Sequence, residues 1–334
     1  MENTFFAGRL AVVYLTRGGA RLAERIGAAV IGAEVVDGSS GVRKVLARLW
    51  PEIDGLICIM AAGIVVRAIA PLTADKRTDP AVVVCDEAGR FAVSLLSGHL
   101  GGANELARQL ADLTGGQAVI TTASDVLGRT ALDLWCRKLG LTVSNKSALT
   151  RAMSRLVNDG KLRVYSQVTL PELPADLIHI DSPEKADLVV SCATLPVDTL
   201  LLYPRALAVG IGCNRGTSAS DIGEAVRTTF QRHNLALESV RTFASIDVKA
   251  DEQGLLTMAH EQARPLIFFD RKQLNSVEGI QVSAAALRAT GAKGVAEPSA
   301  ILAAKGGFLL VPKQVFKDVT VAIALDEVLH LSVT

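Results

Sequence analysis

Residues 91–107 read Phe91-Ala92-Val93-Ser94-Leu95-Leu96-Ser97-Gly98-His99-Leu100-Gly101-Gly102-Ala103-Asn104-Glu105-Leu106-Ala107. The first six form an apolar run of strand length. From Ala103 onward, Leu106, Ala107, Leu110 and Leu113 keep helical spacing. Three glycines lie between the two patterns. A buried strand that passes into a helix through a short glycine loop is the repeating unit of an α/β domain. Glycine lets backbone approach a ligand closely, and a helix start offers unpaired N–H groups to an anion. His99 and Glu105 are residue types that move protons.

The same alternation extends in both directions. Strands are expected at Leu10–Leu15, Glu34–Val36 and Leu56–Met60, with helices at Arg21–Val30 and Val42–Leu49. Ala81–Cys85 and Phe91–Leu95 flank a hairpin-like turn, Asp86-Glu87-Ala88-Gly89-Arg90, and Ala118–Thr121 is a further strand. This predicts an N-terminal domain, residues 1–140, built on a mostly parallel sheet of flavodoxin-like or Rossmann-like type. Over residues 141–204 the pattern weakens. Pro171, Pro174, Pro183, Pro196 and Pro204 mark loops and a linking region, with a helix at Ser147–Asp159 and strands at Leu162–Val168 and Leu188–Ser191. A second α/β domain, residues 205–334, opens at Leu207-Ala208-Val209-Gly210-Ile211-Gly212. It continues through helix Ile222–Arg232, strand Arg241–Ile246, helices Ser283–Ala289 and Ser299–Ala304, and closing strands Phe308–Val311 and Val321–Leu325.

The 334 residues are 49% hydrophobic but only 4% aromatic, so the apolar mass is aliphatic, as sheets covered on both faces by helices require. Net charge is +1, and no basic run interleaved with aromatics points to nucleic acid. The five cysteines, Cys58, Cys85, Cys136, Cys192 and Cys213, are odd in number and form no C-x-x-C pair. They predict reduced core thiols of the cytosol and no metal site. Met1–Gly8 lacks a basic leader. The uncharged stretch Gly55–Val66 stops at Arg67, short of the roughly 20 residues of a membrane span. A cytoplasmic protein with no membrane partner is expected.

Four further stretches are candidates for chemistry. Gly63 follows a strand at the sheet edge where α/β folds bind ligands, and Arg67 either pairs with a ligand carboxylate or lies on a solvated face. Thr121-Thr122-Ala123-Ser124-Asp125 ends another strand, where hydroxyls and a carboxylate orient a ligand or water, or else cap a helix starting near Arg129. Gly210-Ile211-Gly212-Cys213-Asn214-Arg215-Gly216-Thr217 links a strand to a helix. Its glycine spacing is not that of a dinucleotide site, and no Gly-Lys-Ser/Thr ending makes it a P-loop. Carboxylate or phosphate binding beside Arg215 and a packing turn are both open. Asp247 and Lys249 fall on one side of an extended segment, and Glu297 stands at a helix mouth. No Gly-x-Ser-x-Gly elbow occurs.

Together these strings resemble the cobalt-precorrin-5A hydrolase family, from Ala62–Arg67, Thr78–Val84, Asp86–Phe91, Ser97–Asn104 and Ile120–Ala123 through Gly210–Thr217, Ala244–Lys249 and Val295–Ala300. The resemblance runs from about residue 50 to 325 in family order, and it leaves residues 140–205 uncovered. It implies an enzyme of anaerobic cobalamin synthesis. Such an enzyme opens a δ-lactone on a ring-contracted cobalt tetrapyrrole and releases the extruded two-carbon fragment as acetaldehyde. Cobalt would arrive within the substrate, so no cofactor is expected, and contacts with neighbouring pathway enzymes are an open expectation.

For that chemistry His99 is expected as general base, oriented by Glu105 or Asp125, with the Gly101 and Gly102 N–H groups holding the oxyanion, and His99 in its charged form is a candidate for the acid that protonates the macrocycle carbon in the later fragmentation. The carboxylated substrate would meet Gly63, Arg67, Lys76, Gly98, Asn104, Thr121, Thr122, Gly212, Asn214, Arg215, Gly216, Thr217, Asp247, Lys249 and Glu297. A tetrapyrrole carrier and a nucleotide-binding enzyme are the rival readings.

Overall fold

The computed structural model describes residues 6, 8–75, 78–195, 199–305 and 307–326. Lys76, Pro196 and most of Met1–Gly8 lie outside the described residues. The chain divides into two compact units, Met1–Leu134 and Trp135–Thr334.

The first unit runs β1 (Leu10–Tyr14), α1 (Arg17–Ala29), β2 (Glu34–Asp37), α2 (Val42–Leu49), β3 (Gly55–Ile59), α3 (Ala62–Ile69), β4 (Ala81–Cys85), β5 (Phe91–Leu96), α4 (Ala103–Thr114), β6 (Gln117–Val119) and α5 (Ala123–Val126). A further helix, α6 (Leu132–Lys138), begins at its end. The sheet order is β2-β1-β3-β4-β5-β6. Strands β1 to β4 are parallel to one another, and the β4–β5 hairpin is antiparallel. The period of two along each strand divides the core. Leu10, Val12, Ile57, Ile59 and Val83 face one side, where α1 and α4 bury Leu22, Ile26, Leu106 and Leu110. Ala11, Val13, Leu56, Cys58 and Val82 face the other, against Leu46 and Leu49 of α2 and Val65 and Ile69 of α3. The expected mixed α/β architecture with a mostly parallel sheet is the one observed.

The helix starts are specified locally. The Thr16 hydroxyl accepts from the Gly19 N–H to begin α1. Helix α4 starts after Gly102 and stops at Gly115, both in the left-handed region at φ 89° and 72°.

The second unit holds two sheets. Strands β7 (Thr142–Val143), β8 (Leu162–Ser166), β9 (Leu177–His179), β10 (Leu188–Val190) and β11 (Leu200–Tyr203), with helix α7 (Lys146–Asp159), form a five-stranded sheet of order β7-β11-β10-β8-β9. The stretch read as a linking region thus carries a sheet of its own. The last sheet follows β12 (Leu207–Cys213), α8 (Ala219–Arg232), β13 (Val240–Ile246), α9 (Gln253–Glu261), β14 (Leu266–Phe269), α10 (Arg271–Ser276), α11 (Ala284–Thr290), α12 (Ala296–Ala303), β15 (Phe308–Val315) and β16 (Val319–Leu325), in the order β14-β13-β12-β16-β15. Helix α12 lies on this sheet through a buried centre of alanines, Ala296, Ala300 and Ala303 against Ala208, Ala244, Ala322 and Ala324, with Ile301, Phe269 and Leu309 packed at its margin. Gly210 completes the close approach: a Cβ there would stand 1.8 Å from the Ala296 carbonyl oxygen.

The extended segment expected at Asp247–Lys249 is instead a 3₁₀ turn. The Ala250 N–H closes it on the Asp247 carbonyl at 2.9 Å, and the Asp247 carboxylate takes the Val248 N–H at 2.7 Å, so Asp247 and Lys249 do not share a side.

Gly210→Ala is expected to destabilise the fold by about 3 kcal/mol through overpacking against the α12 backbone. Gly223→Ala, within α8, meets the end of the flexible Arg227 side chain at 3.3 Å and Met258 Cγ at an ordinary 3.8 Å, and should lose nothing measurable. Urea denaturation of the two variants checks the contrast.

Candidate functional site

The glycine loop between β5 and α4 folds back on itself. The N–H groups of Gly102, Ala103 and Asn104 donate to the carbonyls of His99, Ser97 and Gly98 at 3.0, 3.1 and 2.9 Å. The Gly102 N–H therefore does not wait for an oxyanion, which corrects the expectation placed on it. Gly101 and Gly98 are packing positions: a Cβ at Gly101 would meet Ser97 Cβ at 2.4 Å, and one at Gly98 would meet Asn104 Oδ1 at 2.7 Å. Ser97 itself takes a positive φ of 57°, an uncommon conformation for serine.

This loop delivers His99 into a cluster with α5 and α6. Nε2 lies 3.0 Å from Asp125 Oδ2 and 3.0 Å from Ser124 Oγ, and Nδ1 lies 3.7 Å from Asp133 Oδ1. The imidazole side chain is 12% exposed and the carboxylates are 18% and 9% exposed. Asp133 at Nδ1 raises the His99 pKa above the ordinary imidazole value, burial opposes it, and Asp125 adds to the rise. Burial works against ionisation of Asp125, but Arg108 and His99 outweigh it and hold that carboxyl below the usual range. Asp133 is likewise lowered by His99 against the cost of burial.

Asp125 is the hub. Its Oδ1 accepts from Arg108 Nη2, and Oδ2 accepts from Asn104 Nδ2 at 2.9 Å as well as facing His99. Asn104 is 3% exposed; its amide also donates to Thr122 Oγ1 at 3.2 Å and accepts from Ser94 Oγ at 2.7 Å. Asn104 and Thr122 are thus turned inward as structure, and neither they nor Asp125 cap a helix near Arg129. Thr121 is exposed. Glu105 is 62% exposed, meets Arg108 at 3.4 Å and Gln109 at 3.3 Å, and does not orient His99. Arg67 folds onto its own helix, donating to the Gly63 carbonyl at 2.9 Å.

In the second unit, a cavity of about 320 Å³ opens at the C-terminal end of β12. Gly212, Asn214, Lys249 and Glu297 line it, together with Lys313 and Lys317. Lys249 is buried and reaches Glu252 at 3.3 Å. Arg215 points elsewhere, to Asp251 at 2.9 Å and the Val248 carbonyl at 3.1 Å. Gly216 donates its N–H to Glu252, and Thr217 is buried with its hydroxyl on the Asn214 carbonyl. The sequence motif therefore builds the wall of the cavity, while Arg215, Gly216, Thr217 and Asp247 do not line it.

Three family models match the chain in succession. Cobalamin synthesis G N-terminal matches residues 44–125, Cobalamin biosynthesis central region 130–204, and Cobalamin synthesis G C-terminus 207–324. A Priestia megaterium protein named cobalt-precorrin-5A hydrolase is 35% identical over 86% of this chain and 82% of its own length.

The chain belongs to the cobalt-precorrin-5A hydrolase family.

A Salmonella typhimurium protein of the same name is 31% identical over 92% of this chain and 95% of its own. A crystal structure of a cobalamin biosynthesis protein G homologue from Sulfolobus solfataricus aligns with 96% of this chain and 97% of its own, at 18% identity and a TM-score of 0.38. Among the described residues of this family member, no helix is long and apolar enough to cross a membrane, and no group of three or more His, Cys, Asp or Glu side chains is placed to hold a metal ion.

Two residues of the His99 cluster escaped the sequence. Asp133 and Arg108 sit on helices with nothing in their local pattern to set them apart from surface charges. Asn104→Ala is expected to lower stability by about 2 kcal/mol, because Ser94, Thr122 and Asp125 would each lose a partner in a buried site. Glu105→Ala, beside it, should stay within about 0.5 kcal/mol of the parent in the same denaturation measurement.

Proposed function

We propose that this chain is a cobalt-precorrin-5A hydrolase. It opens the δ-lactone of the cobalt tetrapyrrole and releases the two-carbon fragment as acetaldehyde, leaving cobalt-precorrin-5B. The observation that carries this reading is its identity of 31–35% with proteins of that name over most of both chains. Cobalt enters and leaves with the substrate, and the reaction runs in the cytoplasm.

The chemistry needs a group that transfers protons to or from the lactone and the macrocycle carbon left by fragmentation. His99 is the residue we assign to that task, because its imidazole faces a carboxylate at each ring nitrogen in a cluster anchored on three helices. The substrate bears many carboxylates. The cavity at the end of β12 is at the small end of ligand sites, so it suits an acid side chain of the substrate rather than a whole macrocycle. Lys313 and Lys317 supply positive charge beside the lining carboxylates Glu297 and Asp318, while Lys249 is paired with Glu252.

Anaerobic incubation of the protein with cobalt-precorrin-5A and trapping of the aldehyde tests the function. Stoichiometric acetaldehyde is the expected result; tight binding of the substrate without acetaldehyde would sink it. His99→Gln should retain substrate binding and lose at least about 100-fold in the rate of release, the scale of one general acid or base.

A further inference from the structure

We infer that Asp133 is a positioning residue that, together with Asp125, makes His99 the proton donor of this site rather than its base. The inference rests on the functional reading above and deepens it.

The two carboxylates do different things to the ring. Asp125 faces Nε2 at 3.0 Å, and its two oxygens already accept from Arg108 and Asn104. It is an ionised acceptor whose place is fixed by neighbours other than His99. A ring nitrogen that faces such a carboxylate keeps its proton, so Nε2 carries hydrogen whether the ring is neutral or charged. This also decides the role of Ser124. Ser124, His99 and Asp133 have the residue types of a nucleophilic triad, and Ser124 Oγ is 3.0 Å from Nε2. A protonated Nε2 cannot take the serine proton, so the hydroxyl stays an accepting neighbour and not a nucleophile.

Nδ1 is then the only ring nitrogen that could act as a base, and Asp133 guards it. At 3.7 Å the Asp133 carboxylate is within ion-pair distance but beyond a hydrogen bond. It favours the charged ring without gripping the Nδ1 proton. That proton is the one free to leave. In the transfer the Nδ1–H bond breaks and the proton passes to a substrate atom. His99 is left as the neutral Nε2–H tautomer still facing Asp125, and solvent returns the proton. The charged groups that face the ring are Asp125 and Asp133, with Arg108 behind Asp125; Glu105 is turned away toward Arg108 and Gln109. The raised pKa of His99 has the sign this arrangement requires.

The test is NMR titration of the full-length protein labelled at histidine, with His99→Gln used to assign the signal, alongside the pH profile of acetaldehyde release. His99 of the wild type should titrate above the ordinary imidazole value. Its midpoint should fall in Asp133→Asn and be regained in Asp133→Glu, whereas a merely structural Asp133 would leave the midpoint of a folded variant unmoved. Release should decline as pH rises through the His99 midpoint, and that decline should move to lower pH in Asp133→Asn, costing about tenfold at mildly alkaline pH. Should Asp133→Asn fail to fold, Asp133→Ser gives the same readout. An unchanged midpoint in these variants, or release that climbs with pH through the His99 titration, would overturn the proposal. Titrations as expected with no acetaldehyde at any pH would support the clamp and count against the enzymatic function instead.

Discussion

The Asp125 carboxylate is the interaction on which the site depends. It gathers Arg108 and Asn104 from α4 and His99 from the preceding loop, while itself belonging to the one-turn helix after β6. That helix is too short to be stable alone. What holds it is this set of charge-assisted bonds across segments 17 to 26 residues apart. Burying one ionised carboxylate is costly unless every lone pair is used, and here cationic and amide donors use them. The same bonds fix the glycine loop, because Asn104 closes onto Ser94 at the end of β5 and packs against Gly98. The geometry around His99 is therefore set by groups that have no need to touch a substrate.

A different constraint shapes the C-terminal sheet. There the absence of side chains decides. Alanine against alanine brings α12 down onto β12 and β16, and Gly210 removes the last obstacle. The close approach sets the start of α12 beside the end of β12, and the cavity forms where they meet. Its glycines thus serve packing first. The Gly210–Thr217 motif makes a site by shaping backbone, and its one arginine is spent on Asp251 and the Val248 carbonyl.

The fold was legible where burial imposes a period. Val42–Leu49 and Ala81–Cys85 are read to the residue, because both are short segments with a sharp apolar pattern and clear boundaries. The helix at Ala62–Ile69 and the β14 strand were not, since an alanine-valine run in the first and a four-residue run in the second fit helix and strand alike. In the middle sheet Leu162–Ser166 and Leu188–Val190 are read within one or two residues, while Thr142–Val143, Leu177–His179 and Leu200–Tyr203 are too short to display alternation. Of the site, the sequence gives the residue types at His99 and Asp125 and their positions at strand ends. It does not give Asp133, because the meeting of α6 with the loop 26 or more residues earlier is tertiary, nor the inward turn of Asn104, which follows from Asp125 rather than from any local cap.

The charge count of the cluster gives the chemistry its direction. With His99 protonated, the cations His99 and Arg108 face the partly buried anions Asp125 and Asp133, and the exposed Glu105 carboxylate adds a third anion at Arg108. Removing the proton makes the cluster one unit more negative in a half-buried setting, where two unit charges about 4 Å apart interact by about 4 kcal/mol at an effective dielectric of 20. A substrate bearing carboxylates deepens that penalty as it approaches, so the proton stays on the ring during binding. It becomes worth giving up only when the substrate generates a stronger negative centre of its own, as a macrocycle carbon does when the carbon–carbon bond to the departing fragment breaks. An imidazole set between two aspartates is thus poorly suited to draw a proton from water and well suited to quench a carbanion. On the proposal that His99 is the proton donor, the fragmentation, rather than the lactone opening, is the step that this arrangement would serve.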